Sequence, residues 1–440
     1  MTAPLILVDG SHVLKRDGTG ISSYTRTLTA GLKAIGAEVA LLLDRVASSG
    51  REDLALAPAI QVFGQQGGQR AVSERLHMAL TTRLGLRREI VAREIALAGV
   101  DIASLEPPLP PFDRIFNANA FFAHASAVFA LNGRTTKVIP REKVAAAHWT
   151  APLPVRVPGV PNLATLHDLI PLQQPHLVLH RGARWARLHQ AVVRDADLIV
   201  TVSERSREDI RSLLGVAADR VVNTYQPVPL LPRFERENAE RLVHNVYGAE
   251  PGKYAFFCGA IEPKKNLYRL IEAFLMAGTD LQLLIAGPLG WLYDEILEII
   301  TLCGAPFAQK AELTPVRRLG YLPRRHVVAL MQCARFFAFP SIYEGFGVPA
   351  VEAMQLGTPV LASTGGSLPE VVEDAAVTVD PLDLDGMAAA VRRLAGDDDL
   401  CAELAVRGPR QAAKFSREAY QERLAAAYKA VGVRLPAGGG

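Results

Sequence analysis

Short apolar runs alternate with helix-patterned segments along most of this chain, and that alternation leaves few architectures open. A run too short for a buried helix and apolar on both faces is a strand covered from above and below. Such strands belong to parallel sheets with helices packed on each side. The first half offers Leu5–Val8, Glu38–Leu43, Arg114–Asn117, Val144–Trp149, Asn162–Leu166, Leu198–Val202 and Arg220–Thr224. A proline-rich, polar interval from Pro227 to Glu240 reads as a linker. The pattern then restarts with Tyr254–Cys258, Leu281–Ala286, Val316–Leu319, Arg335–Phe339, Pro359–Ala362 and Val377–Val379, with helices such as Asn266–Leu275 and Val348–Leu356 between them. At 440 residues the chain exceeds what one core ordinarily holds. The expectation is α/β: two doubly wound domains, 1–235 and 236–415, facing across a cleft.

Charge and cysteine usage narrow the function classes. A net charge of +3 is too small to argue for nucleic acid as a partner. Cys258, Cys303, Cys333 and Cys401 are dispersed without metal-ligand spacing, and Cys258 and Cys333, in apolar strand-like runs, read as reduced core residues of a cytosolic protein. Met1–Gly10 has neither a basic start nor an apolar stretch of signal-peptide length. No run reaches the roughly 20 apolar residues that span a bilayer. The expected location is cytoplasmic.

The most informative local stretch is Ser341-Ile342-Tyr343-Glu344-Gly345-Phe346-Gly347-Val348-Pro349-Ala350-Val351-Glu352. It follows an apolar strand and leads into a helix whose first residue reads as Pro349, a position where a missing N–H costs nothing. Gly345 and Gly347 let backbone approach a ligand, and the helix start offers free N–H groups to an anion. Glu344 and Glu352 would repel that anion unless they face sugar hydroxyls. A phosphorylated sugar and a routine strand-to-helix turn both satisfy these residues taken alone.

Three further stretches lie at strand ends, where open α/β sheets bind ligands. Asp17-Gly18-Thr19-Gly20-Ile21 opens a helix but puts Ser23 where a dinucleotide fingerprint needs glycine, so a structural turn is equally served. His167-Asp168 follows Asn162–Leu166; it serves either a ligand or its own loop. Gly259 to Asn266 places Lys264 and Lys265 at a helix entrance, against the helix dipole, where they suit a diphosphate.

In this order these elements resemble retaining glycosyltransferases of family 4, which have the GT-B fold, and most closely their bacterial mannosyltransferase B-like subgroup. The resemblance runs through Gly18–Ile21, Thr165-Leu166-His167-Asp168-Leu169-Ile170-Pro171-Leu172, Val200–Ser203, Gly259–Asn266, Phe339–Ser341, Glu344–Glu352, Gly357–Val360 and Leu368-Pro369-Glu370-Val371. It implies that Glu344 holds donor-sugar hydroxyls and Glu352 the ribose. Backbone amides of Gly345, Phe346, Gly347 and Val348 would meet the sugar and diphosphate. Lys265 would neutralise the leaving diphosphate, Gly20 would bring an amide from the other domain, and His167 would lie beside the reacting sugar. Many members carry arginine where Ala260 stands, so Lys264 is read as the second positive charge. No metal and no cofactor are implied; the donor is a nucleotide sugar, GDP-mannose favoured, and the acceptor a bacterial surface-polysaccharide or lipid-linked glycan. A helix from Ser416 to Val431, within a last unit 416–440 that ends in a flexible tail, would cross back onto the first domain.

Arginines 75, 83, 87, 88 and 93 alternate with Leu76, Leu80, Leu84 and Ile90 in the segment Arg70–Leu97, which reads as a basic amphipathic helix. Arg181, Arg184, Trp185, Arg187 and Arg194 would extend that surface. Peripheral contact with an anionic membrane and an ordinary solvated helix face are both open, since Glu74, Glu89 and Glu94 interrupt the basic residues. Two other functions share this architecture: a nucleotide-sugar epimerase or hydrolase, against which the paired glutamates argue, and a non-catalytic nucleotide-sugar-binding scaffold, against which the retained charged residues argue.

Overall fold

The computed structural model describes residues 2–13, 20–44, 89–95, 97, 108–118, 121–177, 182–303 and 314–436. Ten strands form the first sheet: β1 (Leu5–Asp9), β2 (Glu38–Leu43), β3 (Glu89–Glu94), β4 (Arg114–Asn117), β5 (Thr136–Pro140), β6 (Ala146–Trp149), β7 (Val155–Arg156), β8 (Asn162–Thr165), β9 (Leu198–Thr201) and β10 (Val221–Asn223). Their order is β10-β9-β8-β6-β1-β2-β4-β3-β5-β7, parallel throughout except where β3 meets β4. β1 is buried along its whole length, as its unbroken apolar run requires of a strand covered on both faces.

The second sheet holds β11 (Tyr254–Cys258), β12 (Gln282–Ala286), β13 (Val316–Gly320), β14 (Phe336–Phe339), β15 (Val360–Ser363) and β16 (Val377–Val379). The order is β13-β12-β11-β14-β15-β16, all parallel, so the winding reverses between β11 and β14. A reversal of this kind opens a crevice at the carboxyl ends of the two strands on either side. In the first sheet the corresponding neighbours are β1 and β6.

The carboxyl edges of the two sheets meet. Glu370 accepts from the backbone amides of Glu204 (3.0 Å) and Arg205 (2.9 Å), the first residues of the helix Glu204–Leu214, and from the Tyr225 hydroxyl (3.2 Å). A carboxylate from one domain thus caps a helix of the other. Tyr343 donates to Asp209 on the same helix, and Trp291 Nε1 donates to Leu177 O at 3.1 Å.

The helix Arg417–Ala430, capped by Ser416, returns to the first domain as expected. Its Tyr420 and Leu424 lie on the helix Gly20–Ala34 where Gly31 leaves room: a Cβ there would stand 2.9 Å from Tyr420 Cε1. Tyr428 shares a 2.8 Å hydrogen bond with His148 Nδ1 of β6.

Several local expectations need correction. Only 236–247 of the second half's approach is helical, so the extended link ends at Glu235, and Val228 N ties it to Phe415 O. Strands β5 and β7 were not foreseen. The basic segment Arg70–Leu97 lies mostly outside the described residues, but its part Glu89–Glu94 is strand, not helix. β-branched Ile90 and Val91 sit among charges, and the free edges of β4 and β5 are both paired by this segment. The helix Gly182–Asp195 does form, with Arg184, Arg187 and Arg194 exposed; Arg181 lies outside the described residues.

Candidate active site

Two loops cross at the β11/β14 reversal. After β11 the chain makes a short turn at Pro263–Lys265 and enters the helix Leu267–Ala277 through Asn266, whose φ of +59° is left-handed. Asn266 tolerates that conformation and uses its side-chain amide to hold Pro340 O (3.1 Å) and Pro381 O (2.6 Å). Ile342 N donates to Lys264 O at 2.8 Å, which fastens the lysine turn to the loop after β14. The two lysines are thereby brought beside Glu344.

Lys265 Nζ lies 2.5 Å from Glu344 Oε1 and 4.8 Å from the centre of the Phe339 ring. Lys264 Nζ stands 3.4 Å from Glu262 Oε1 and 3.9 Å from Glu344 Oε2. Burial works to raise the Glu344 carboxyl's pKa, but the Lys265 and Lys264 ammoniums outweigh it and hold the group below the usual carboxylate range. Burial works to lower that of Lys264, and the Glu344 and Glu262 carboxylates reverse the outcome. Glu262 itself is raised, burial exceeding the help of Lys264. The cluster is charged, buried and mutually dependent.

Beyond Glu344 the chain turns into the helix Val348–Leu356, which starts one residue before the expected Pro349. Its cap is Gly347, at φ +105°, and no side chain caps the end. Among the described residues the amides of Gly345, Phe346, Gly347 and Val348 find no protein acceptor. Four N–H groups at a helix entrance beside two lysines form a site for an anion. Ser367 steadies the loop by donating from its amide (3.0 Å) and hydroxyl (3.1 Å) to Glu344 O. The Phe346 side chain does not join the site. It is buried against Phe415 (ring centres 5.2 Å) and Tyr225 (6.3 Å), leaving only backbone for a ligand.

Glu352 lies one turn into this helix and is engaged by Arg324, which donates through both terminal nitrogens, Nη1 to Oε2 at 3.0 Å and Nη2 to Oε1. Burial raises the Glu352 pKa despite that partner.

The first domain supplies His167. Its Nε2 lies 3.0 Å from Thr150 O, and a carbonyl only accepts, so Nε2 carries the proton. Burial lowers the ring's pKa, which keeps it neutral and leaves Nδ1 an acceptor. Thr150 is fixed from behind: Asp9 accepts from its amide and, at 3.0 Å, from its hydroxyl. Tyr24 meets the His167 ring edge-on at 4.8 Å. Asp168 opens the turn into the next segment, accepting from Ile170 N at 3.1 Å.

The domains touch at this point. A Cβ on Gly345 would stand 2.9 Å from His167 O and 3.0 Å from Asp168 Cβ. Gly345 therefore serves the approach of the other domain. Gly20 opens its helix and is exposed; residues 14–19, with Gly18 and Thr19, lie outside the described residues. The sequence reading brought Glu344, Lys264, Lys265, Gly345 to Val348, Glu352 and His167 forward. It missed Arg324, Glu262, Thr150 and Asp9. A basic residue placed against the dipole at a helix start was the available signal for Arg324.

Known proteins resemble this chain in sequence and in fold. Residues 242–411 match the family described as "Glycosyl transferases group 1", and residues 100–230 match "Glycosyltransferase Family 4". The chain is 33% identical to the O-antigen chain mannosyltransferase B of Escherichia coli over 275 residues, covering 61% of this chain and 70% of that protein. It is 27% identical over 261 residues to the serotype-specific mannosyltransferase WbdA of Escherichia coli, 58% of this chain but 32% of that longer protein. Anabaena Alr3699/HepE, solved with UDP and glucose, superposes with a TM-score of 0.62 at 15% identity, covering 97% of this chain and 99% of that one. The two family matches, the identity to the O-antigen mannosyltransferase and the two facing parallel sheets together make the chain a member of glycosyltransferase family 4, with the GT-B fold and the likeness of a bacterial mannosyltransferase.

Proposed function

We propose that the protein transfers a hexose, mannose in the first instance, from a nucleotide sugar to a hydroxyl of a bacterial surface-polysaccharide or lipid-linked glycan, with retention at the anomeric carbon. The observation that carries this reading is the set of unpartnered amides from Gly345 to Val348 beside Lys264 and Lys265, with neutral His167 across the cleft. The relatives' mannosyltransferase names support the sugar, and GDP-mannose is the proposed donor.

In this reading the diphosphate sits on the helix entrance, and Lys265 with the amides stabilises the charge that grows as it leaves. Glu344 and Glu352 are each engaged by cations and hold hydroxyls, the first on the hexose and the second on the ribose. Neither attacks the sugar. The acceptor oxygen enters on the face the diphosphate leaves, and its proton passes to the departing phosphate oxygen. His167 Nδ1 accepts from a donor hydroxyl. Lysines and amides supply the positive charge, so no divalent ion or cofactor takes part. Among the described residues no helix is long and apolar enough to cross a membrane. A lipid-linked acceptor would be met through peripheral contact of the basic surface around Arg184 and Arg187.

A thermal-shift panel of nucleotide sugars tests the donor, followed by proton NMR of the product. Stabilisation by GDP-mannose and an α-linked product are expected. Stabilisation by UDP-sugars alone would replace the donor, and a β-linked product would overturn retention.

A further inference from the structure

The Glu352 carboxylate has both oxygens taken. Arg324 donates to each of them, one terminal nitrogen per oxygen, in the two-pronged geometry that a guanidinium and a carboxylate share. A vicinal diol binds a carboxylate in the same two-pronged way, one hydroxyl per oxygen. Both cannot occupy Glu352 at once. We propose that Arg324 is a built-in competitor for the ribose diol, so that donor binding is an exchange in which the nucleotide displaces Arg324 from Glu352.

The two partners differ in how easily they move. The Glu352 side chain is 9% exposed and lies one turn into the helix Val348–Leu356, whereas the Arg324 side chain is 54% exposed. Arg324 is the first residue of the helix Arg324–Cys333, entered from Pro323, where its charge opposes the helix dipole. Helix stability does not account for a cation there. Among the described residues Glu352 is its ion-pair partner, so a swing into water forfeits one pair with a half-exposed member. Glu352, by contrast, needs replacement donors when Arg324 leaves, and two ribose hydroxyls supply them.

This inference rests on the assignment of Glu352 to the ribose, and the test separates the two. Titration calorimetry would compare GDP with its 2′,3′-dideoxy analogue on the whole chain, on Arg324→Gln and on Glu352→Gln. Arg324→Gln is expected to bind GDP about two- to fivefold more tightly, the value of one half-exposed pair. It should leave the dideoxy nucleotide unchanged, because that ligand cannot make the exchange. Unchanged or weaker GDP binding, or an equal gain for both nucleotides, would overturn the competitor role. If Glu352→Gln binds GDP as well as the wild type, the ribose assignment itself fails. A crystal structure of the wild type with GDP gives a second reading: Arg324 clear of Glu352 is expected, and Arg324 still seated on both oxygens contradicts the exchange.

Discussion

Gly345 and His167 belong to different domains, yet a Cβ on Gly345 would stand 2.9 Å from the His167 carbonyl oxygen. The loop that carries Glu344 and the loop that carries the neutral histidine are therefore in backbone contact. Ser206 of the first domain reaches both loops, its hydroxyl lying 3.0 Å from His167 O and 3.5 Å from Gly345 O. Placement of the sugar-facing groups across the cleft depends on that contact being made without a side chain.

Gly345→Ala should push the loops apart, since the obstructing atoms are backbone and Asp168 Cβ rather than a flexible side-chain end. Each domain's own core is untouched, so thermal melting should change little. Transfer should fall about tenfold or more, as small misplacements of reacting groups do. Wild-type turnover in this variant would show that the contact is dispensable.

Glu344→Gln keeps the shape of the side chain and removes the charge that Lys265 and Lys264 share. Steady-state kinetics should record a loss of about 10²–10³-fold in kcat with circular dichroism unchanged. A loss of less than threefold would remove Glu344 from the reacting centre.

Asp9 makes stability depend on pH. Burial, opposed by hydrogen bonds from Thr150 and Ser11, raises its pKa from 3.8 to about 6. The folded state thus keeps a proton that the unfolded chain releases, and stability falls as pH rises through that window. Asp9→Asn retains an acceptor for the Thr150 amide and removes the titration. Urea denaturation should show the variant gaining about 2 kcal/mol relative to wild type between pH 4 and pH 7. Parallel curves for the two proteins would place the Asp9 titration elsewhere.

Much of the site was readable because its parts are local. Glu344, the two glycines and the helix start lie within one strand–loop–helix unit, and Lys265 and His167 each follow a strand that apolar runs reveal. The pairing of Arg324 with Glu352 was not readable. Arg324 lies 28 residues before Glu352, and their pairing exists only because the helices Arg324–Cys333 and Val348–Leu356 are neighbours in space. The tie from Asp9 to Thr150 spans 141 residues and is equally tertiary. For Phe346 the expectation concerned the backbone amide alone, and the seat of its ring against Tyr225 and Phe415 is likewise a tertiary matter. In Glu89–Glu94 so few apolar residues stand among charges that strand and helix periods are hard to tell apart, and pairing with β4 and β5 decides.

Lysines and amides are assigned the charge of the leaving diphosphate, so a chelator should not slow the reaction. Transfer rates with and without EDTA, after dialysis against it, are expected to agree. A loss restored by magnesium or manganese would give that task to a metal ion.

Lys265 is the most direct point of attack on the whole account. Calorimetric titration of GDP into wild type and Lys265→Ala measures the diphosphate contact itself, without an acceptor. The variant should bind about tenfold or more weakly, the worth of a hydrogen bond to a charged group in a partly buried site. Equal affinity in the two proteins would contradict the placement of the diphosphate between Lys265 and the Gly345 to Val348 amides.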